Sequence, residues 1–581
     1  MTILASLARA YERLPDAPPF GYALAKIGFL ISLNEDGSVA HVIDLRTGEG
    51  SKRQPRMLAV PQPPKKASGI ICSFLWDKTA YVLGVTAGEG RRLDREHACF
   101  RDYHLAVLEN STDIGLVAFR SFLRSWTPDH FVSLGWPEDL KDQNVVFALE
   151  SDRKPDNNYL HDREAAKALW ASMQADSRGE AKVCLVRGTN LPVARLHTSI
   201  KGIWGGQSSG GSIVAFNASA YESYGHTQGD NAPVSEAAAF AYTTALNAFL
   251  ATGSRNRIQI GDASTVFWAD ASDAESAETA QDVWLAAFTD IDEAQESARV
   301  RSVLEGLRKG RSLADLDPRL NQGVRFYVLG LAPNAARILI RFWHESDFAD
   351  LARNYQRFVA DMRIEPPPRN ENAPIWQYLA ETAVQKKREN VPPNLVGEWM
   401  RAILTGNRYP LTLLTNVLMR IRADGEVNAL RVAMLKAVLT RNFERKDTPV
   451  ALDPDFKDKG YLLGRLFAVY ERIQETALGR NVNATIKDKY YGSASAQPRK
   501  VFPVIDRNSA NHLSKIGKQE PKFKVRLDKA LSEIMVSMNP ADDPFPASLS
   551  AQEQALFGLG YYHQRSAFFQ TRDKDSTETA Q

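Results

Sequence analysis

Residues 202–211 read Gly-Ile-Trp-Gly-Gly-Gln-Ser-Ser-Gly-Gly, a density of glycine and serine that invites chemistry. Such loops cradle phosphates when successive backbone N–H groups converge ahead of a helix. Here that requirement fails. No G-x-x-x-x-G-K-S/T is present, and the loop runs into the apolar stretch 213–216 (Ile-Val-Ala-Phe), which reads as a strand and not as a helix. Ser208 and Ser209 lie in Gln-Ser-Ser-Gly, which is not the G-x-S-x-G elbow that exposes a nucleophile. Glycines also permit close backbone approach to a bulky partner, with Lys201, Trp204, Gln207 and Asn217 as the contacts. A tight structural turn between strands is the competing reading, and both stand at this point.

The remaining reactive residue types point away from catalysis. The ten histidines have no metal-ligand spacing, and the three cysteines (Cys72, Cys99 and Cys184) form no CxxC, so buried thiols are expected and not a zinc site. The acids of segment 258–298, ten with no base among them, are spread through an alanine-rich stretch and form no catalytic pair. No enzyme activity, cofactor or metal is therefore expected. The basic side chains are more informative. Lys52, Arg53 and Arg56 precede a proline-rich loop, and Lys65, Lys66, Ser68, Ser73 and Trp76 interleave basic, small and aromatic residues. That mixture suits contact with a phosphate backbone and wedging against bases. It equally suits a surface loop ahead of a buried tryptophan. A second basic region, 480–530, carries twelve Lys/Arg against four Asp/Glu, including Lys487, Lys489, Arg499 and Lys500. Opposite charge asymmetries in one chain suggest a surface for a polyanion, although solvated helix faces would look the same.

The elements that must position these residues follow from periodicity. After a short amphipathic helix at the start, 22–33 and 39–45 read as strands joined at Asn34-Glu35-Asp36-Gly37, a hairpin signal. Residues 80–85, 145–149, 182–186 and 264–269 read as further strands, while 94–123 and 165–173 read as helical. Pro233 suits the first position of a helix that buries Phe240, Leu246 and Phe249. Residues 325–343 predict two strands with a turn at Ala332-Pro333-Asn334, placing Arg337 and Arg341 on one face. Beyond Pro366-Pro367-Pro368 the pattern becomes helical. Stripes at 411–421, 430–439, 462–477 and 527–535 predict a bundle, with 485–501 as its most basic connection. The expected class is α+β: a mixed α/β domain over 1–365, then a helical bundle over 366–581.

Composition sets the outer limits. With 581 residues, 44% apolar and 24% charged, the chain is long enough for two or three domains. A formal charge of +3 is too small to decide a partner by itself. No apolar run approaches the roughly 20 residues of a membrane span, and the start lacks the features of a secretory signal, so a cytoplasmic protein without membrane contact is expected.

Several of these segments together resemble a known family. Phe216-Asn217-Ala218, Glu222-Ser223-Tyr224-Gly225, Gln228-Gly229, Asn231-Ala232-Pro233-Val234-Ser235-Glu236, Tyr242 and Ala245-Leu246-Asn247 are similar to the large subunit of the type I-C CRISPR Cascade complex, the Cas-eight-c or Csd-one family. Val42-Ile43-Asp44-Leu45, Tyr81-Val82-Leu83-Gly84, Leu329-Gly330-Leu331 with Pro333-Asn334, and Thr485-Ile486-Lys487-Asp488 extend the resemblance along the chain. Lys66-Ala67 stands where the family has Arg-Thr, and Ser73 where it has Asn.

The resemblance implies a non-catalytic subunit that reads a protospacer-adjacent motif in double-stranded target DNA, helps open it and supports the displaced single strand. It also implies CRISPR RNA-bound Cascade backbone subunits, a helical small subunit, a recruited nuclease-helicase and phage anti-CRISPR proteins as partners. Relatives make the small subunit from an internal start; Met434 would leave 581 − 433 = 148 residues, and a non-Met codon nearer Gly460 is the equal alternative. The alternatives are a nucleic-acid-cleaving or hydrolytic enzyme, and an architectural helical scaffold.

Overall fold

The structure, a computed structural model, describes residues 2–15, 17–48, 53–64, 69–156, 158–176, 181–260, 262–289, 298–371, 373–479 and 484–578. It divides into two compact units, Thr2–Thr198 with Val214–Ala245, and Ser199–Ile213 with Leu246–Gln581. The division falls within the helix Glu236–Leu250.

The first unit holds strands β1 (Tyr22–Ile27), β2 (Phe29–Leu33), β3 (Val39–Asp44), β4 (Arg56–Pro61), β5 (Trp76–Lys78), β6 (Asn144–Leu149), β7 (Ala181–Val183) and β8 (Asn190–Pro192). The apolar run 22–33, expected as one strand, is cut at Gly28. β1 pairs with β4 in a ribbon, and β2 joins a separate sheet of order β3-β2-β6-β5, parallel to β6. β2 is buried along its whole length, as a central strand covered on both faces must be. Its two-residue period sorts the side chains. Phe29, Ile31, Leu33, Val145, Phe147 and Leu149 meet Phe119 and Phe122 of the helix Ile114–Ser125. Leu30, Val146 and Ala148 meet Ile27, Leu58 and Val60 of the ribbon. The Asn34–Gly37 turn forms as expected. Gly37 has φ +90, and a Cβ there would lie 2.7 Å from Ala118 O, so glycine is required for the contact with that helix.

Three local expectations fail in this unit. The run 80–85 is not a strand: ladder pairing ends at Lys78, and Thr79–Val82 coil into one helical turn that buries Tyr81 and Val82. The run 182–186 gives only β7, in a two-stranded ribbon with β8. The helix expected from Pro233 starts at Glu236, because Pro233 and Val234 are still extended; their carbonyls accept from Leu185 N at 2.9 Å and Ala194 N at 2.9 Å. Ser235 Oγ then takes the helix's free Ala238 N–H at 3.3 Å.

The second unit contains β9 (Arg257–Ile260), β10 (Ala263–Asp270), β11 (Arg325–Asn334) and β12 (Arg337–Asp347), an antiparallel meander of order β12-β11-β10-β9. Phe267, Phe326, Val328 and Phe342 pack against the helices Ala274–Phe288 and Phe348–Met362. On the opposite face Phe249, Trp268, Tyr327 and Trp343 stack with ring centroids 5.3–5.8 Å apart. The hairpin turns at Ala335-Ala336, one residue beyond Asn334. Arg337 and Arg341 do not share a simple face, since the register jumps from Gly330↔Phe342 to Leu331↔Ile340 and leaves Arg341 as the extra, bulged residue.

The predicted helical stripes appear as Leu411–Asp424, Ala429–Asn442, Lys459–Leu478 and Pro521–Ser537. Gly425, with φ +64, ends the first of these. Lys459–Leu478 packs along Ala551–Glu578 so closely that a Cβ on Gly464 would lie 2.0 Å from Phe557 O. One buried cluster runs from Ile258 to Tyr561 and spans the triple proline. Strands β9–β12 therefore share a unit with the bundle, which differs from a boundary at 365/366. No described helix is long and apolar enough to cross a membrane.

Candidate nucleic-acid interface

The loop 199–213 is closed on itself and fastened to the β9–β12 sheet. Ile200 and Gly211 exchange backbone hydrogen bonds at 2.8 and 2.9 Å, and Ser212 continues onto β12 by donating to Ala336 O and accepting from Ile338 N. Asn247 Oδ1 accepts from Lys201 N at 2.8 Å, while Ser264 Oγ accepts from Trp204 N at 2.9 Å. Gly210 has φ +85, and a Cβ there would meet Ile200 O at 2.6 Å, so the closure needs glycine. The segment 213–216 forms no strand, because its backbone leaves the sheet after the Ser212 bridge. The amides of Ile200, Lys201, Trp204, Gly206, Gly210, Gly211 and Ser212 are thus spent on the loop's own architecture. Its outer rim presents Lys201, Gln207, Ser208 and Ser209, and Trp204 at 65% exposure.

The second predicted cluster divides differently. Lys52, Lys65, Lys66 and Ser68 lie outside the described residues. Arg53 is held by Asp44, 2.7 Å from its Oδ2. Hydrogen bonding, first from Arg46 and then from Arg53, pulls the Asp44 carboxyl down to about 2, so this acid stays charged and offsets both arginines. Ser73 and Trp76, expected as DNA contacts, are buried. Ser73 is 1% exposed, its N–H held by Asp77 Oδ2 at 2.9 Å. Trp76 belongs to the small core beneath the β1–β4 ribbon and donates its indole N–H to Pro61 O at 2.8 Å. Neither side chain offers a face to a duplex in this structure; the tryptophan is there to fill volume and satisfy a carbonyl.

Asn217 is exposed at the start of a polar projection, 217–231, of which it alone is marked by the sequence as a contact. Ser223 and His226 close its turn. Asn231 ties the turn down through Ser223 N at 3.0 Å, His226 O at 3.1 Å and Gln228 O at 3.0 Å. Asp230 braces the base by accepting from Lys182 Nζ at 2.6 Å and contacting His226 Nδ1 at 2.7 Å, and these bonds lower its pKa. Tyr224 sits at the tip, 98% exposed and with φ +52.

The basic connection expected at 485–501 is helical. Thr485 and Asp488 form a reciprocal capping box for Ile486–Ala494, and Pro498 opens the helix Pro498–Gln519. Lys487 is half-buried and Lys489 exposed. Arg499 is committed to Asp543, 2.6 Å away, and to Phe545 O, which makes it a tether for the 539–546 turn. Lys500 is exposed. It begins a stripe that counting along the helix reveals: Lys500, Arg507, Asn511, Lys515 and Lys518 recur on one side, all exposed. Val501, Phe502, Ile505 and Ile516 are buried on the other. At about 1.5 Å per residue the stripe is roughly 27 Å long. The following helix, Pro521–Ser537, adds exposed Lys522, Arg526 and Lys529 around its buried Leu527 and Ile534. A 3.6-residue count over 498–518 exposes the stripe; the connection expected over 485–501 ends before Arg507, Lys515 and Lys518. Among the described residues no group of three His, Cys, Asp or Glu is arranged to hold a metal ion.

These features define an α+β protein that carries a rigid projecting loop and a helical cationic face. The chain belongs to a CRISPR-associated family: the family model for CRISPR-associated protein (Cas_Csd1) matches residues 7–569, nearly the whole sequence. No curated protein matches it.

Proposed function

We propose that the chain is the DNA-reading large subunit of an RNA-guided CRISPR surveillance complex of type I-C, without chemistry of its own. The observation that carries this reading is the stripe Lys500, Arg507, Lys515 and Lys518, four exposed cations opposite a buried apolar face. Cations in a line attract a phosphate backbone whatever its sequence. Sequence reading needs a different device, side chains delivered to base edges by a stiff support. The loop 199–213 suits that role, with Trp204 and Gln207 carried on a backbone fixed to β10 and β12. In this reading the loop recognises a short motif in duplex DNA and begins to part the strands, and Lys65, Lys66 and Ser68 are further candidate DNA contacts. The helical face, with Lys487, Lys489 and Lys500, then holds the displaced strand. CRISPR RNA-bound backbone subunits, a helical small subunit and a recruited nuclease-helicase are the corresponding partners, and phage anti-CRISPR proteins the antagonists.

A gel-shift of the assembled complex on target duplexes with a randomised trinucleotide beside the matched sequence tests it. Enrichment of one or a few trinucleotides is expected. Equal binding to all of them would sink motif reading, and cleavage of labelled DNA by the purified chain with a divalent cation would replace the reading with a nuclease.

A further inference from the structure

We infer that Tyr224 is a stacking post for an unpaired nucleobase, an inference that rests on the DNA-binding reading above. The argument begins with what the residue costs. A bulky side chain at φ +52 is a backbone outlier, disfavoured because Cβ crowds the neighbouring carbonyl oxygen. Strain of this kind persists where the surroundings impose it. Packing does not repay it, since the ring is 98% exposed. Glycine or asparagine would satisfy the same turn more easily. Nothing in the fold of the projection explains a tyrosine.

The projection instead holds that ring out on a stiff support. Asn231 fastens three backbone groups of the turn. Gly229 presses onto the 194–195 backbone, where a Cβ would lie 2.1 Å from Ala194 O, and its N–H donates to Arg195 O at 3.2 Å. Lys182 and His226 converge on Asp230 below it. A backbone fixed in this way leaves only the torsions of the Tyr224 side chain itself to be ordered on binding.

The surroundings of the ring select the ligand. An aromatic anchor at a protein–protein interface sits within a patch of further contacts that exclude water. Around Tyr224 the exposed neighbours are Glu222, Ser223, Gly225, His226 and Thr227; the other exposed aromatic of the projection is Tyr221, at 43%, and residues 217–231 include no Val, Leu, Ile, Met or Phe to build an apolar patch. A nucleobase needs only one π-face to stack on, and polar and cationic groups alongside suit its sugar and phosphates. Arg195, exposed at the base of the projection, supplies a cation there, while the Lys182 charge is taken up by Asp230. In a paired duplex the base faces are already stacked on one another, so the available ligand is an unpaired base in an opened or single-stranded segment.

The test uses the full chain and its variants Tyr224→Phe and Tyr224→Asn. Asparagine accepts the left-handed backbone, so an unchanged melting temperature serves as the check on folding. Binding is followed by anisotropy on a fully paired duplex and on the same duplex with a short mismatched bubble containing 2-aminopurine. Tyr224→Asn is expected to weaken binding to the bubbled duplex about tenfold and to abolish the change in 2-aminopurine fluorescence on binding. Tyr224→Phe should keep both, and affinity for the paired duplex should be the same for all three proteins. Wild-type protein that binds neither DNA would overturn the DNA reading itself. Wild-type binding that Tyr224→Asn leaves intact would overturn the stacking post alone and assign the tyrosine to a protein partner. Equal loss on paired and bubbled duplexes would also overturn it.

Discussion

The buried ring of His104 accepts a hydrogen bond at Nε2 from the backbone N–H of Leu75, 2.8 Å away, while its Nδ1 donates to Phe100 O at 2.7 Å. A carbonyl can only accept, so Nδ1 carries the proton and Nε2 must stay bare. Leu75 has φ +62, and its amide has no strand partner at that kink. The histidine thus fixes the backbone that leads into β5.

That arrangement predicts a pH dependence of stability. Burial lowers the His104 pKa from its ordinary 6.5 to about 4, and His563, bonded to Tyr461 OH and Val450 O, is lowered by burial to about 4 as well. The unfolded chain therefore takes up these protons first. The stability they contribute is complete above pH 6.5 and is lost as pH falls from 6.5 to 4, on the order of 3 kcal/mol for each histidine. Denaturant titrations across that window should show the decline. His104→Phe should cost about 1 to 3 kcal/mol at pH 7, by leaving Leu75 N–H unpaired, and should flatten the decline between pH 6.5 and 4.

Glycines separate the helix contacts into tight and loose ones. Gly464→Ala would drive a methyl into Phe557 O, and both helix backbones must move to admit it. The expected loss is on the order of 3 kcal/mol, read as a lower urea midpoint at unchanged slope. Gly492→Ala is the control. A Cβ there meets only Arg422 Cγ at 3.9 Å, so removing a mid-helix glycine should stabilise by about 0.5 to 1 kcal/mol.

What was legible in the sequence follows from which interactions are local. The hairpin at Asn34–Gly37, the central strand β6 and the bundle helices are written in short-range periodicity, and the α+β class followed from them. Pro233 misled because cap chemistry reads the same whether or not the residue is still paired to another strand, here through Val193 and Ser235. Trp76 misled for a related reason: a tryptophan beside basic residues looks the same whether it faces solvent or fills the space beside Val60. Tyr224 stands out in the sequence only as part of Glu222-Ser223-Tyr224-Gly225 in the family resemblance; its backbone angle and exposure are what mark it as a contact.

A buried cation provides a further prediction. The Arg431 side chain is fully buried, with Nε 2.9 Å from Glu381 Oε2, Nη2 2.5 Å from Asp424 Oδ2 and Nη1 donating to Glu426 O at 2.9 Å. Lys386 also reaches Glu381, at 2.8 Å. Arg431→Met would fill most of the volume but take one cation from each of two carboxylates, leaving Glu381 with Lys386 and Asp424 with Arg420, at a cost of about 3 kcal/mol. Replacing Glu381 by Gln in the same chain should recover part of that loss in thermal melts, because Glu381 is the more buried of the two acids and its charge the harder to leave under-compensated.

The cationic stripe predicts how DNA affinity varies with salt. Each phosphate contact releases counterions, so the logarithm of the binding constant falls linearly with the logarithm of salt concentration, and each lost contact reduces that slope by about 1. Lys515→Gln with Lys518→Gln should therefore flatten the slope by about 2 and weaken all sequences alike. Arg499→Gln should leave the slope unchanged, because its guanidinium is engaged by Asp543, and should lower the melting temperature by freeing the 539–546 turn. Gln207→Ala should act in the opposite manner, keeping the slope while costing about 1 to 3 kcal/mol for one base identity. Salt titrations on two duplexes that differ at one flanking base pair separate the three. A slope that Lys515→Gln with Lys518→Gln does not change would remove the helix Pro498–Gln519 from the DNA path.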